Sequence, residues 1–295
     1  MSKGVKILIV LLVLAGALAG GWFWLEGYAQ KQGEERVAAF FDQVGDVATA
    51  EYGDVDVDLL GLTATIHDMK LSLMGGKHFT VGEFVLRNYA ESDGIPTAMD
   101  VSVHGVDVPV TPENFEEMYD AFHELGHLSV TLDFDLDYSL DEGKDVFSLD
   151  NLSLTLRDMA AVAMSLRLNN VDIKDLISTE GASSLAITLD SAELKYVDHS
   201  FFEQALKGAA REEGKSVEQI KAEMEATLAE EIAMAVAEDN QFAVQGLNEL
   251  RKFLDNPGSL AITIKPERPV GMLALLDVQN TADVISKLNI RFEAK

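Results

Sequence analysis

The sequence predicts an α+β fold: an N-terminal transmembrane helix, then a long-stranded antiparallel β-sheet with a helical insertion packed on it. Three observations carry that expectation. Residues 7–25 hold no charge. Through much of residues 51–198 apolar side chains recur at every second position, the period of a strand with one dry and one wet face. From Ser200 to Leu254 the period becomes that of a charged helix.

Lys3 and Lys6 precede the uncharged run, whose nineteen residues from Ile7 to Leu25 suffice to cross a hydrocarbon core of about 30 Å at about 1.5 Å per residue. Trp22, Trp24 and Tyr28 stand at its exit, where aromatic rings favour the membrane interface, and Glu26, Glu34 and Glu35 follow. The positive-inside rule then makes residues 1–6 a cytoplasmic tail and exports the remainder. The expected location is a bacterial inner membrane, crossed once, with the main domain periplasmic. Ala17-Leu18-Ala19 has the form of a signal-peptide cleavage site. The apolar run continues past it into the aromatic cluster, so a retained signal anchor is expected. Gly16 and Gly20 form a small-xxx-small pair, which offers the anchor a packing face for a second copy or for another membrane protein.

Fifty acidic residues against twenty-three basic ones give a formal charge of -27. That balance argues against nucleic-acid binding and against lying flat on anionic lipid, both of which need basic patches. The absence of cysteine excludes disulfides and thiolate metal sites. An apolar fraction of 47% is enough for an ordinary core.

Residues 26–50 form a juxtamembrane segment, predicted helical from Glu34 to Val47 by the spacing of Val37, Phe40, Phe41 and Val44. The β-rich domain, 51–198, begins with Val55, Val57 and Leu59 alternating with aspartates. It continues through Ala64 and Ile66, then Met69, Leu71 and Leu73, and through Val101, Val103, Val106, Val108 and Val110. The clearest strand runs from Leu128 to Leu140, where Leu128, Val130, Leu132, Phe134, Leu136, Tyr138 and Leu140 alternate with Ser, Thr and Asp. Leu152, Leu154 and Leu156 return after a turn at 141–144, and Met164, Leu166 and Leu168 repeat the pattern. The helical insertion, 199–256, contains a capping-box signature, Ser216 with Gln219, and ends at Asn256-Pro257-Gly258. Residues 257–295 are predicted to rejoin the sheet through strands at Ser259–Lys265 and Leu288–Phe292.

One motif carries chemistry. His123-Glu124-Leu125-Gly126-His127 matches H-E-x-x-H, in which His123 and His127 bind zinc and Glu124 activates water. The context opposes it: Gly126 is the natural end of the helix, which leaves His127 outside and spoils the i, i+4 geometry. A zinc hydrolase is therefore the alternative, and no enzyme, metal or other cofactor is expected. Asp133, Asp135 and Asp137, like Asp54, Asp56 and Asp58, read as solvated strand faces. His67, His78, His104 and His199 are scattered without ligand spacing.

The basic start, the apolar anchor, Trp24-Leu25-Glu26-Gly27 and Glu51-Tyr52 resemble YdgA-like bacterial envelope proteins of unknown function. The succession of long alternating strands, Leu128–Leu140 and Leu152–Leu168, also resembles AsmA-like periplasmic proteins. The chain differs from the latter in being short and in carrying the helical block of 200–254. The AsmA-like resemblance implies a curved sheet whose apolar face forms a lipid groove. Candidate groove residues are Leu132, Phe134, Leu136, Tyr138, Leu154 and Leu166. The function expected is a non-enzymatic, membrane-anchored periplasmic protein that binds lipid or organises an envelope complex. An accessory subunit of a membrane-protein complex is the alternative.

Overall fold

Where apolar alternation runs unbroken, the chain is extended and paired. The structure is a computed structural model and describes residues 48–58, 63–73, 77–92, 95–115, 119–124, 126–172, 186–271 and 281–295. The predicted anchor, with Gly16, Gly20, Trp22, Trp24 and Tyr28, and the predicted helix of residues 34–47 lie outside these residues. Among the described residues, no helix is long and apolar enough to cross a membrane.

The chain divides into two compact units, Met1–Tyr119 with His127–Asp137, and Asp120–Gly126 with Tyr138–Lys295. The first contains strands β1 (Ala48–Glu51), β2 (Val55–Asp58), β3 (Thr63–Leu73), β4 (Lys77–Ser92) and β5 (Ile95–Pro109). It also takes the short helix α1 (Pro112–Phe115) and most of strand β6 (Ser129–Asp141). The strand order is β1-β3-β4-β5-β6, with β2 also on β3. Pairings of β1 and β2 with β3, β3 with β4 and β4 with β5 are antiparallel. The core of this unit is the inward half of the alternation: Ile66, Met69, Leu71, Val81, Phe84, Val101, Val103, Val106 and Phe134 are buried. Leu128, expected as the first inward residue of β6, is instead 84% exposed. The strand begins one residue later, and the Leu128 carbonyl accepts from the Val110 amide at 2.9 Å.

The second unit begins with helix α2 (Tyr119–Glu124), of which all but Tyr119 belongs to it. Its sheet contains β7 (Val146–Leu156), β8 (Ala160–Asn169), β9 (Thr188–Asp198), β10 (Ser259–Ile264), β11 (Val270–Gly271) and β12 (Ile290–Ala294). The order is β7-β8-β9-β10-β12, with β11 beside β9, and these pairings are antiparallel. Between the neighbours β9 and β10 the chain departs to form α3 (Phe201–Glu213), α4 (Val217–Ala237) and α5 (Gln241–Asp255). The helical block is thus an insertion, and the C-terminal strands rejoin the sheet as the pattern predicts. One boundary differs. Leu288 closes a helix, α6 (Thr281–Leu288), and the last strand starts at Ile290. Val284, Ile285 and Leu288 have helical spacing, and Leu288 also stands two residues before Ile290, so it fits either period.

The capping box at α4 forms as its signature requires. The Ser216 hydroxyl accepts from the Gln219 amide at 3.2 Å, and the Gln219 side chain accepts from the Ser216 amide at 2.8 Å. Gly214, at φ 66°, ends α3 in the left-handed conformation, which spares a Cβ clash. Leu206 and Ala210 of α3 then pack on Ile220 of α4. Ser216→Ala should lower stability by about 1 kcal/mol, read as a fall in the urea midpoint. An unchanged midpoint would mean that the cap contributes nothing.

Candidate functional site

In the second unit the register stacks apolar residues across five strands. Leu154, Val162, Tyr196, Leu260 and Ala294 form one cross-strand row. Leu152, Met164, Leu194, Ile262 and Phe292 form the next, and Leu149, Leu166, Ala192, Ile264 and Ile290 a third. The opposite face alternates with them and is more polar: Ser153 and Lys195 flank Ala163 in register, Ser165 pairs with Glu193, and Arg167 with Ser191. Such a sheet must cover its apolar side with protein or with something else.

Helix α5 covers one end of it. Phe242 meets Phe292 at a ring separation of 5.2 Å, and the helix approaches so closely that a Cβ at Gly246 would lie 3.1 Å from the Phe292 ring. Phe253, itself buried, packs edge-on against Tyr196 at 5.8 Å and Phe202 of α3 at 5.6 Å. Cover thins towards β8 and β9. Val162 is 42% exposed and Leu194 is 44% exposed, while Leu152, Leu154, Met164 and Leu166 are only half-buried. These six side chains form a continuous apolar surface.

The edge of that surface is pinned by Asp198. Its carboxylate accepts from the Phe202 amide at 2.9 Å, fixing the first turn of α3, and from the Tyr196 hydroxyl at 2.6 Å. Burial, and then the Asp198 carboxylate, push the ionisation of Tyr196 well above the ordinary tyrosine range. The folded state therefore prefers the protonated phenol. Its contribution is whole below the unfolded value of about 10 and is lost as pH rises above that value. Tyr196→Phe should remove this component, so its urea midpoint should fall less steeply above about pH 10 than that of the wild type. Parallel alkaline limbs would contradict the assignment.

The residues singled out from sequence fall into separate places. Phe134 is 0% exposed and Leu136 is buried, both in the first unit, with Leu132 half-buried on the same strand. Tyr138 belongs to the second unit and packs against Phe147 at 6.0 Å. Leu154 and Leu166 lie on the open apolar face; Val162 and Leu194, its most exposed members, carry no signal in the sequence that sets them apart from other strand residues. His123 stands exposed at the end of α2, and Gly126, at φ 88°, donates its amide to the His123 carbonyl at 3.0 Å. His127 is outside the helix, so the two histidines do not share a helical face.

The structure also brings together two histidines that the sequence leaves far apart. On the wet face of the first unit, Glu83 of β4 pairs in register with His67 of β3 on one side and His104 of β5 on the other. Glu83 Oε1 lies 3.9 Å from His67 Nδ1, and Glu83 Oε2 lies 3.8 Å from His104 Nδ1. Asp56 Oδ2 reaches His67 Nε2 at 3.5 Å, and Asp135 Oδ1 reaches His104 Nε2 at 3.1 Å.

A family described as "Uncharacterized protein" matches residues 153–295. The matched stretch runs from within β7 to the C-terminus and so contains β8, β9 and the helical insertion. An uncharacterized protein of Aquifex aeolicus (strain VF5) is 25% identical over 316 aligned positions, covering all of both chains.

Proposed function

We propose that this protein is a non-enzymatic, membrane-anchored lipid-binding protein of the bacterial envelope, and that the open apolar face of the second unit takes acyl chains. The carrying observation is the surface formed by Leu152, Leu154, Val162, Met164, Leu166 and Leu194, two of whose members are more than 40% exposed. All six side chains are hydrocarbon or thioether, so the surface suits a chain with no hydrogen bonds to satisfy. At about 25 cal/mol per Å² of apolar area, covering it is favourable for any hydrocarbon held nearby. The uncharged run Ile7–Leu25 supports a bilayer as the source of that hydrocarbon.

Native mass spectrometry of the full chain purified in mild detergent tests the reading. The wild type should carry phospholipid that survives dilution. Val162→Glu with Leu194→Glu should lose it, since each places a charge where the acyl chain lies. Both positions are already part-exposed, so the fold should tolerate the change. Equal lipid on the two proteins would overturn the assignment to this face, and none on the wild type with a stoichiometric protein partner instead would favour the accessory-subunit reading.

A further inference from the structure

A hollow of about 400 Å³ opens among β1, β3, β4 and β5 of the first unit, a size that suits a small molecule. Alternation sets its lining. Lys70 stands between the buried Met69 and Leu71, and Asp107 between the buried Val106 and Val108, so both side chains turn away from the core. His78 and Thr80 are exposed at alternate positions of β4, and the half-buried Phe79 between them also borders the hollow. The register places Glu51, Lys70, Thr80 and Asp107 in one cross-strand row. Glu51 and Lys70 are directly opposite, where opposite charges ordinarily pair. Yet among the described residues none of Glu51, Lys70 and Asp107 makes an ion pair. The hollow holds charges of both signs apart: two carboxylates against one ammonium and one imidazole. The carboxylates oppose a plain anion, and Lys70 in the middle of the row opposes a plain cation. A ligand that carries both charges meets neither objection.

We propose that this hollow binds a phosphoethanolamine group, a phosphate and a primary ammonium two carbons apart, carried by a soluble compound or by a lipid headgroup. Lys70 on β3 and Thr80 and His78 on β4 form a triangle of hydrogen-bond donors on adjacent strands. Three separated donors suit the several oxygens of a phosphate better than a planar carboxylate, which two donors already satisfy. Asp107, directly opposite Thr80 on the far side from Lys70, accepts from the ligand's ammonium. Lys70 and Asp107 are two strand spacings apart, about 10 Å. That leaves room for the two charged ends with a hydrogen bond at each. Glu51 stands on the other side of Lys70 and repels any further negative charge. The site lies wholly within the first unit and uses none of the apolar face assigned to acyl chains.

The test is isothermal titration of the full chain in mild detergent with glycerophosphoethanolamine, which has no acyl chain and so cannot occupy the apolar face. One site per chain is expected. Glycerol phosphate, which lacks the ammonium, and ethanolamine, which lacks the phosphate, should each bind more weakly by about tenfold or more. Lys70→Gln and Asp107→Asn should each weaken glycerophosphoethanolamine by a similar factor. Val162→Glu combined with Leu194→Glu should bind it as the wild type does. Lys70 is exposed and Asp107 half-buried, so both variants should fold, and circular dichroism and urea midpoints check this. No binding to the wild type, or binding unchanged in both Lys70→Gln and Asp107→Asn, overturns the proposal. Equal affinity for glycerol phosphate overturns it too and leaves a simple anion site. Competition identifies the source of the group. Displacement by micelles holding phosphatidylethanolamine but not by those holding phosphatidylglycerol assigns the site to a lipid headgroup. Displacement by neither assigns it to a soluble compound.

Discussion

Phe134→Ala is expected to lower the free energy of unfolding by about 3–5 kcal/mol, the range for truncating a buried aromatic that leaves a cavity. Phe134 has no exposed surface, and it lies on β6 beside a half-buried Leu132 and a buried Leu136. Its ring is therefore part of the first unit's core, although the strand pattern alone makes it a candidate for a lipid groove. Leu154→Ala, on the half-buried face of β7, should cost clearly less, because solvent already reaches that site and the cavity is incomplete. Urea unfolding of the two variants beside the wild type measures the contrast. Equal losses, or a Phe134→Ala protein that stays stable but sheds lipid, would contradict this division of roles.

Phe253→Ala should have a comparable effect, about 3–5 kcal/mol, for a different reason. Phe253 is the buried ring at which α5, α3 and the sheet meet, edge-on to both Tyr196 and Phe202. Each such aromatic pair contributes about 0.5–1.5 kcal/mol beyond the area it buries. Without the ring, α5 keeps its Phe242 contact with Phe292 at its other end but loses its hold on β9. The apolar face should then widen, so the variant should bind more of an environment-sensitive hydrophobic dye while retaining its helical circular dichroism. A variant as stable as the wild type, with unchanged dye binding, would show that the helix is held by other contacts.

Much of this architecture is legible from alternation and caps. The strand at Leu128–Leu140 is displaced by one residue, and the Ser216–Gln219 box forms with both of its hydrogen bonds. What alternation cannot report is cover. It identifies Phe134 and Leu154 alike as the apolar side of a strand, yet the first is sealed and the second is not. That difference depends on what packs above each unit, which is a matter of long-range contacts. Val162 and Leu194 escape notice for the same reason. The histidine row did leave a trace. The apolar rhythm slips between Ile66 and Met69 and again between Val103 and Val106, and His67 and His104 stand immediately after Ile66 and Val103. Read alone, each slip is a minor irregularity. Only the register of β3, β4 and β5 shows that the slips coincide and that Glu83 stands between the two rings.

The proposed occupancy of the second unit's open face by hydrocarbon is tested by site-specific photocrosslinking in the native membrane. A photoreactive side chain at Val162 samples the apolar face, and one at Ser165 samples the opposite face of the same strand. An acyl chain held on that face gives lipid adducts at position 162 and none at position 165. Adducts of equal yield at both positions, or a protein adduct at 162 with no lipid, would contradict it.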